Sequence, residues 1–370
     1  MSRPRRVLFL HSSAGHYGAD RQLRLLATSL DPARWHPLVV LPFEGPLARD
    51  LRAAGVEVLT GPLAVLRREL TSVGGLATLL RDLAHQRPAL ERLIAVQRID
   101  VVHANTSVIL GLRPVAPRLV ISVREIYPRA PLLWPLHRRA IRSADAVLCV
   151  SEATRSALGG AANVSVVLDG LAVAAQRAPR AQARLALGLP QDAFVVAVLG
   201  RVSAWKGQEV LARALATPAL AARGAIGLIA GDAWPGQEHR VQALRDLGLG
   251  SRLRLLGFRG DLDVVLGASD AVAVPSTAPD PLPNAAIEAA AAGCPVVASA
   301  HGGLPEILRD GSTGLLVAPG DPGALAAALA RLADDPGLRE RLGSAAAADV
   351  RERFAPEALA GAVMAVYDSL

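Results

Sequence analysis

The strongest constraint on this chain is a rhythm. Short runs of valine, leucine and isoleucine alternate with longer helical patterns along nearly all of its 370 residues. In the first half RVLFL (6–10), HPLVVL (36–41), GVEVL (55–59), DVVHA (100–104), RLVISV (118–123) and AVLCVS (146–151) predict strands buried on both faces. Residues 20–30, 46–54, 75–97 and 135–143 predict helices between them. Strands that are apolar throughout, each followed by a helix, describe a doubly wound parallel sheet. The second half repeats the logic with FVVAVLG (194–200), AIGLIAGD (225–232), RLRLLG (252–257), DAVAVPS (270–276), PVVASA (295–300) and TGLLVAP (313–319). Two α/β domains follow, over 1–170 and 171–352, with the boundary near Gly170 where the periodicity lapses. Residues 353–370 read as an amphipathic helix that packs back on the first domain.

A chain that is 51% hydrophobic and 20% charged buries enough apolar surface to exclude disorder. Only 3% is aromatic, so the core is built from alanine, leucine and valine, which suits helices on a parallel sheet better than a sandwich or barrel. Cys149 and Cys294 lie inside apolar runs and read as small buried hydrophobes. No stretch reaches the roughly 18 uninterrupted apolar residues of a membrane span, and MSRPRR leads straight into the first strand, so a cytoplasmic protein is expected. The net charge of +7 is uneven: residues 1–170 hold 22 arginines against 13 acidic residues, whereas 171–370 hold 18 basic residues against 20 acidic ones. Basic residues interleaved with stacking aromatics are missing, which disfavours nucleic acid and leaves an anionic acceptor or peripheral contact with the inner membrane surface. Arginines 67, 68, 138, 139 and 142 would supply that contact. Of the 40 basic residues 39 are arginine, which singles out Lys206 as the one lysine.

Three loops carry candidate chemistry. HSSAGHYGADR closes the first strand with Gly15 and Gly18, a glycine turn that either serves as a turn alone or brings backbone N–H groups to an anion at a helix start. GRVSAWKGQ places Arg201 and Lys206 at the carboxyl edge of the second sheet, either as solvated charges or as a grip on an anion. PSTAPDPLPNAAIEAAAAG sets Asp280 in a proline-rich loop and Glu288 on the helix after it, so that both carboxylates can face one cleft and accept sugar hydroxyls. The plainer alternative is a turn former and a charge that complements the helix dipole. Asp261 and Asp263 form a D-x-D pattern, read here as a helix N-cap and a first-turn acid rather than a metal site. The eight histidines show no metal-ligand spacing.

These loops, together with DVVHAN, ADAVLCVSEATRSAL, VVLDG, LLGFRGDLDVVLGASDAVAVPS and GGLPEILRDGSTGLLVAPGDPGALAAAL, resemble the retaining glycosyltransferases of family 4 over almost the whole chain. The resemblance implies a GT-B fold of two Rossmann-like domains facing a central cleft, with the acceptor on the first domain and a nucleotide diphosphate sugar, UDP- or GDP-linked, on the second. It implies that Arg201 and Lys206 hold the diphosphate, Glu288 the ribose, Gly18 the phosphates through its N–H, and that Asn284 and Asp280 join the donor site. Asp280 stands where the family usually has glutamate. His103 matches the first histidine of a family H-A-H pattern, which implies a catalytic role, though a core histidine capping a strand fits as well; Asn105 replaces the second, which usually faces the donor sugar. Arg124 and Glu125 stand where the family often has His-Glu or His-Asp, either binding an anionic acceptor or pairing with each other. The implied reaction moves a hexose, without metal or other cofactor, to a hydroxyl of a glycan, a lipid-linked or a small-molecule acceptor. A nucleotide-sugar 2-epimerase and an inactive nucleotide-sugar-binding protein are the alternatives.

Overall fold

The computed structural model describes residues 3–66, 73–126, 134–171 and 176–370. The chain divides into two compact units: Met1–Ala172 with Phe354–Leu370, and Val173–Arg353.

In the first unit the strands are β1 (Arg5–Leu10), β2 (Trp35–Leu41), β3 (Glu57–Thr60), β4 (Val101–Ala104), β5 (Leu119–Val123), β6 (Ala146–Cys149) and β7 (Val164–Val166). They form a parallel sheet in the order β3-β2-β1-β4-β5-β6-β7. Central β1 pairs Val7 with Pro37 on one side and with Val101 on the other, and Val7 to Leu10 are fully buried, which is why this run is apolar without alternation. Strand β7 escapes the sequence pattern because three residues, one of them serine, are too short a run to show a period. The first helix, Gly18–Ser29, begins two residues earlier than the apolar pattern suggests, because the Asp20 carboxylate accepts the Tyr17 N–H (2.9 Å) and fixes the entry to the helix.

The C-terminal helix Pro356–Ser369 completes this unit. Leu359, Val363 and Tyr367 are buried in one cluster with Leu23, Leu26, Trp35 and Val39, each large side chain contributing about 1.5–3 kcal/mol by leaving water. Around this apolar contact Asp368 pairs with Arg5 and Arg34, and Arg118 donates to the Leu370 carbonyl at 2.9 Å.

The second unit holds β8 (Val195–Leu199), β9 (Ile226–Ala230), β10 (Leu253–Gly257), β11 (Ala271–Val274), β12 (Val296–Ser299) and β13 (Leu315–Val317), in the order β10-β9-β8-β11-β12-β13. Its entrance is anchored by Arg184, which is fully buried. Arg184 donates to the carbonyls of Ala268, Pro190, Gln191 and Ala193 and to Asp270, which also accepts from Arg180 and from the Val195 N–H that opens β8. A buried charge tolerates this place because its donors are matched.

In each sheet the strand order reverses beside the first strand of the unit, between β1 and β4 and again between β8 and β11. Loops leaving the carboxyl ends of such neighbours run to opposite faces and leave a crevice, the usual place for a ligand on an open α/β sheet.

Candidate active site

At the second switch point the loop after β8 carries Lys206 and the loop after β11 carries Asp280, and the structure brings them together: Lys206 Nζ donates to Asp280 Oδ2 at 2.5 Å. The Lys206 side chain keeps 26% of its surface exposed and that of Asp280 10%, so the pair sits at the mouth of the edge. Two backbone approaches make this contact. Gly207, at φ +73°, leaves room for the Pro275 carbonyl, which a Cβ would meet at 1.8 Å. Gly302, at φ +59°, lies so close to Asp280 that a Cβ would come within 2.4 Å of its carbonyl oxygen. The Thr277 N–H donates to the Trp205 carbonyl at 2.8 Å, the Gly303 N–H to that of Asp280 at 2.8 Å, and His301 Nε2 to that of Ser276 at 2.8 Å. The loops are thereby laced into one rigid rim. Glu288 lies buried on the helix Asn284–Ala291, of which Asn284 is the first residue.

Arg201 follows β8 directly, and its guanidinium lies over the Trp234 ring at 4.1 Å from the centroid. Gln208, buried at the start of the next helix, donates to the Arg201 carbonyl at 3.0 Å. Beside this loop a cavity of about 410 Å³ opens against the ends of β9 and β10, lined by Val202, Ile229, Asp232, Val241, Arg245 and Leu255. Its size falls in the range of small-molecule sites.

The first switch point looks different. His11 follows β1 and Asn105 follows β4, and their side chains meet at 3.1 Å, His11 Nδ1 to Asn105 Nδ2. The Asn105 amide is oriented by its neighbours: Nδ2 donates to the Ala19 carbonyl (3.2 Å), and Oδ1 accepts from Arg124 (3.3 Å). Nδ2 therefore donates to His11 as well, which leaves the His11 proton on Nε2, where it is given to Asp20 Oδ1 at 2.9 Å. Burial raises the Asp20 carboxyl, but the hydrogen bonds from His11, Ser13 and Tyr17 more than offset it, and the group titrates below the usual range. Gly18 stands at the first position of its helix, where the N–H has no acceptor within the helix.

Several expectations need correction here. The Arg124 guanidinium pairs with Asp169 and donates to the Asn105 carbonyl at 3.0 Å, while Glu125 accepts from the Arg124 backbone N–H at 3.2 Å and from Ser107 at 2.8 Å. Burial pushes the Asp169 carboxyl up against the pull of Arg124. Asn105, which replaces the second histidine of the family pattern, is fully buried and belongs to this network. His103, expected among the catalytic groups, is fully buried within β4, one ring nitrogen with the Tyr367 hydroxyl at 2.5 Å and the other with Ser122 Oγ at 2.8 Å. Burial, with the nearby Arg124 charge, pushes its pKa down to about 3, so it stays neutral in the core. Asp261 does occupy the N-cap of the helix Leu262–Ala268, yet its carboxylate turns back to pair with Arg259 at 2.5 Å instead of capping; Asp263 is the first-turn acid. Arginines 67 and 68 lie outside the described residues.

Among the described residues no group of three histidine, cysteine or carboxylate side chains is placed to hold a metal. Cys149 and Cys294 are buried free thiols, pushed up by desolvation to about 12 and about 11, and so are poor nucleophiles. No helix among the described residues is long and apolar enough to cross a membrane. The sequence pattern passed over Trp205, Trp234 and Gln208. The signal available was compositional: two of four tryptophans, in a chain that is 3% aromatic, stand in loops beside the two cations.

Residues 179–349 match the model of glycosyl transferases group 1, and residues 17–168 that of glycosyltransferase family 4. The D-inositol 3-phosphate glycosyltransferase of Actinosynnema mirum is 42% identical over 182 residues, 46% of this chain and 43% of that protein. The lipopolysaccharide core biosynthesis glycosyltransferase LpsD of Rhizobium meliloti is 36% identical over 186 residues, 50% of this chain and 52% of its own length. The chain thus spans about half the length of the curated relatives it matches. Anabaena Alr3699/HepE, solved in complex with UDP-glucose, superposes with a TM-score of 0.82 at 28% identity, covering 99% of this chain and 100% of that one. With one model on each parallel-sheet unit, the chain belongs to glycosyltransferase family 4, of the GT-B fold class.

Proposed function

We propose that this protein is a retaining, metal-independent glycosyltransferase that moves a hexosyl group from a UDP-sugar to an acceptor hydroxyl. The observation that carries the reading is the Lys206–Asp280 pair at the second switch point, with Arg201 on the adjoining loop: cations fixed at the edge where helices begin, beside a carboxylate suited to sugar hydroxyls. The likeness to a UDP-glucose-bound structure over nearly the full chain supports uridine as the base.

The donor diphosphate would lie against Lys206 and Arg201, its ribose hydroxyls on Glu288, with Asn284 at the helix start as a further phosphate donor; on the first unit the Gly18 N–H offers an anion another donor. Asp280 then has two duties, to accept a hexose hydroxyl and to hold Lys206 in place. As the bond between C1 and the β-phosphate oxygen breaks, negative charge grows on that oxygen, where preorganised cations stabilise the transition state most. The acceptor oxygen attacks C1 from the same face and its proton passes to the departing phosphate, which retains the configuration without a protein nucleophile. Acceptor binding falls to the first unit, and its basic surface fits an anionic or lipid-linked acceptor at the inner membrane face.

A melting screen with UDP, GDP, ADP and TDP tests the donor: ligand at about 100 times Kd stabilises by about 2.7 kcal/mol. UDP should shift the transition most; preference for another base overturns the uridine assignment. Incubation with UDP-glucose, followed by NMR in the presence and absence of EDTA, should release α-configured sugar to acceptor or water in both. An epimerised nucleotide sugar, or nucleotide binding with no turnover of any donor, would replace this reading with an epimerase or a binding protein.

A further inference from the structure

Arginine side chains on loops are costly to immobilise, and an anion that must order one on arrival binds more weakly than its charge suggests. Arg201 is already ordered. Its guanidinium rests on the Trp234 indole at 4.1 Å, and Trp234 is met by Trp205, ring centroids 5.0 Å apart at an interplanar angle of 63°. Trp205 is held in turn, because its carbonyl accepts the Thr277 N–H at 2.8 Å from the loop that carries Asp280. The backbone of Arg201 is fixed separately by Gln208. A guanidinium stacked on an aromatic ring engages its face, while its N–H donors lie in the plane and point outward. The indole pair therefore sets the direction of the fork without consuming it. The pair spans the loops after β8 and β9, next to Lys206.

From this geometry we infer that Trp234, braced by Trp205, is a positioning residue that holds Arg201 ready for the diphosphate of the donor. The inference rests on the proposed role of Arg201 and adds to it a reason for two half-buried tryptophans in loops of a chain so poor in aromatics. The effect of Trp234 passes through Arg201, so it should disappear when Arg201 is gone.

Calorimetric titration of the full chain with UDP decides this, using Trp234→Leu, Trp234→Phe, Arg201→Ala and the double variant Arg201→Ala/Trp234→Leu. Trp234→Leu keeps apolar bulk but loses the aromatic face, and should weaken UDP binding about tenfold with an unchanged melting temperature. Trp234→Phe, which restores a ring, should stay within about threefold of wild type, and the double variant should bind no more weakly than Arg201→Ala alone. Trp234→Leu at wild-type affinity, or a tenfold loss that persists on the Arg201→Ala background, overturns the inference while leaving the role of Arg201 intact. If instead Arg201→Ala binds UDP as the wild type does, or the wild type binds no UDP, the underlying reading falls and takes the inference with it. Should Trp234→Leu fail to fold, Trp205→Leu loosens the same platform from its far side, and is judged by the same comparison with Arg201→Ala.

Discussion

The two units present the same crevice between strands of reversed order, and they fill it in opposite ways. Between β1 and β4 the edge is closed: His11, Asp20, Asn105 and Asp169 are buried, the Arg124 side chain keeps only 8% of its surface exposed, and they consume one another's donors and acceptors. Between β8 and β11 the edge is poised: a lysine and a carboxylate meet at the rim and an arginine lies on an indole, contacts that another anion or hydroxyl can replace. Parallel sheet topology thus creates two crevices, and side-chain chemistry fills them differently.

The comparison can be broken most severely through the closed network. Asp169→Ala strands the buried Arg124 charge and should lower unfolding free energy in urea by about 3–5 kcal/mol, with Arg124→Met on top recovering most of the loss. A cost under about 1 kcal/mol would mean that the first edge is as replaceable as the second. Next in size, Lys206→Ala should lower transfer about a hundredfold, roughly 3 kcal/mol of transition-state stabilisation, with melting unchanged. Wild-type turnover in steady-state assays would remove the lysine from the leaving-group site.

A third test follows from the neutral core histidine. Since the folded pKa of His103 lies near 3 and the unfolded one near the ordinary histidine value of 6.5, its contribution to stability is complete above 6.5 and is lost as pH falls toward 3. The slope attributable to it is at most about 1.4 kcal/mol per pH unit, and His103→Asn should remove that slope in urea titrations between pH 6 and 4. An unaltered slope would place the titrating group elsewhere.

The smallest effect concerns the outer surface of the first unit. On the helix Trp134–Arg142, Arg139 is exposed and Leu136 keeps 67% of its surface in solvent, whereas Arg142 is spent on the carbonyls of Gly159 and Gly160. Reversing Arg138 and Arg139 to glutamate should weaken sedimentation with phosphatidylglycerol vesicles in low salt by about 1 kcal/mol for each charge removed. Binding insensitive to the reversal, or absent altogether, would favour a soluble acceptor.

The amino-acid sequence by itself determined the two sheets, because a strand buried on both faces must be apolar along its length, and that is a local property visible in runs such as FVVAVLG and RLVISV. It also marked Arg201, Lys206, Asp280 and Glu288, since charged residues just past such runs stand at a carboxyl edge in any doubly wound sheet. Only the tertiary structure decided partners. Whether His103 meets solvent or the Tyr367 hydroxyl, whether Arg124 meets an acceptor or Asp169, and whether Lys206 stands apart or on Asp280 depend on residues 264, 45 and 74 positions away. No local period encodes such separations. They are settled when the C-terminal helix docks and the glycines at 207 and 302 let the loops close, because hydrogen bonds and ion pairs act over about 3 Å and their value is set by the burial that packing alone creates.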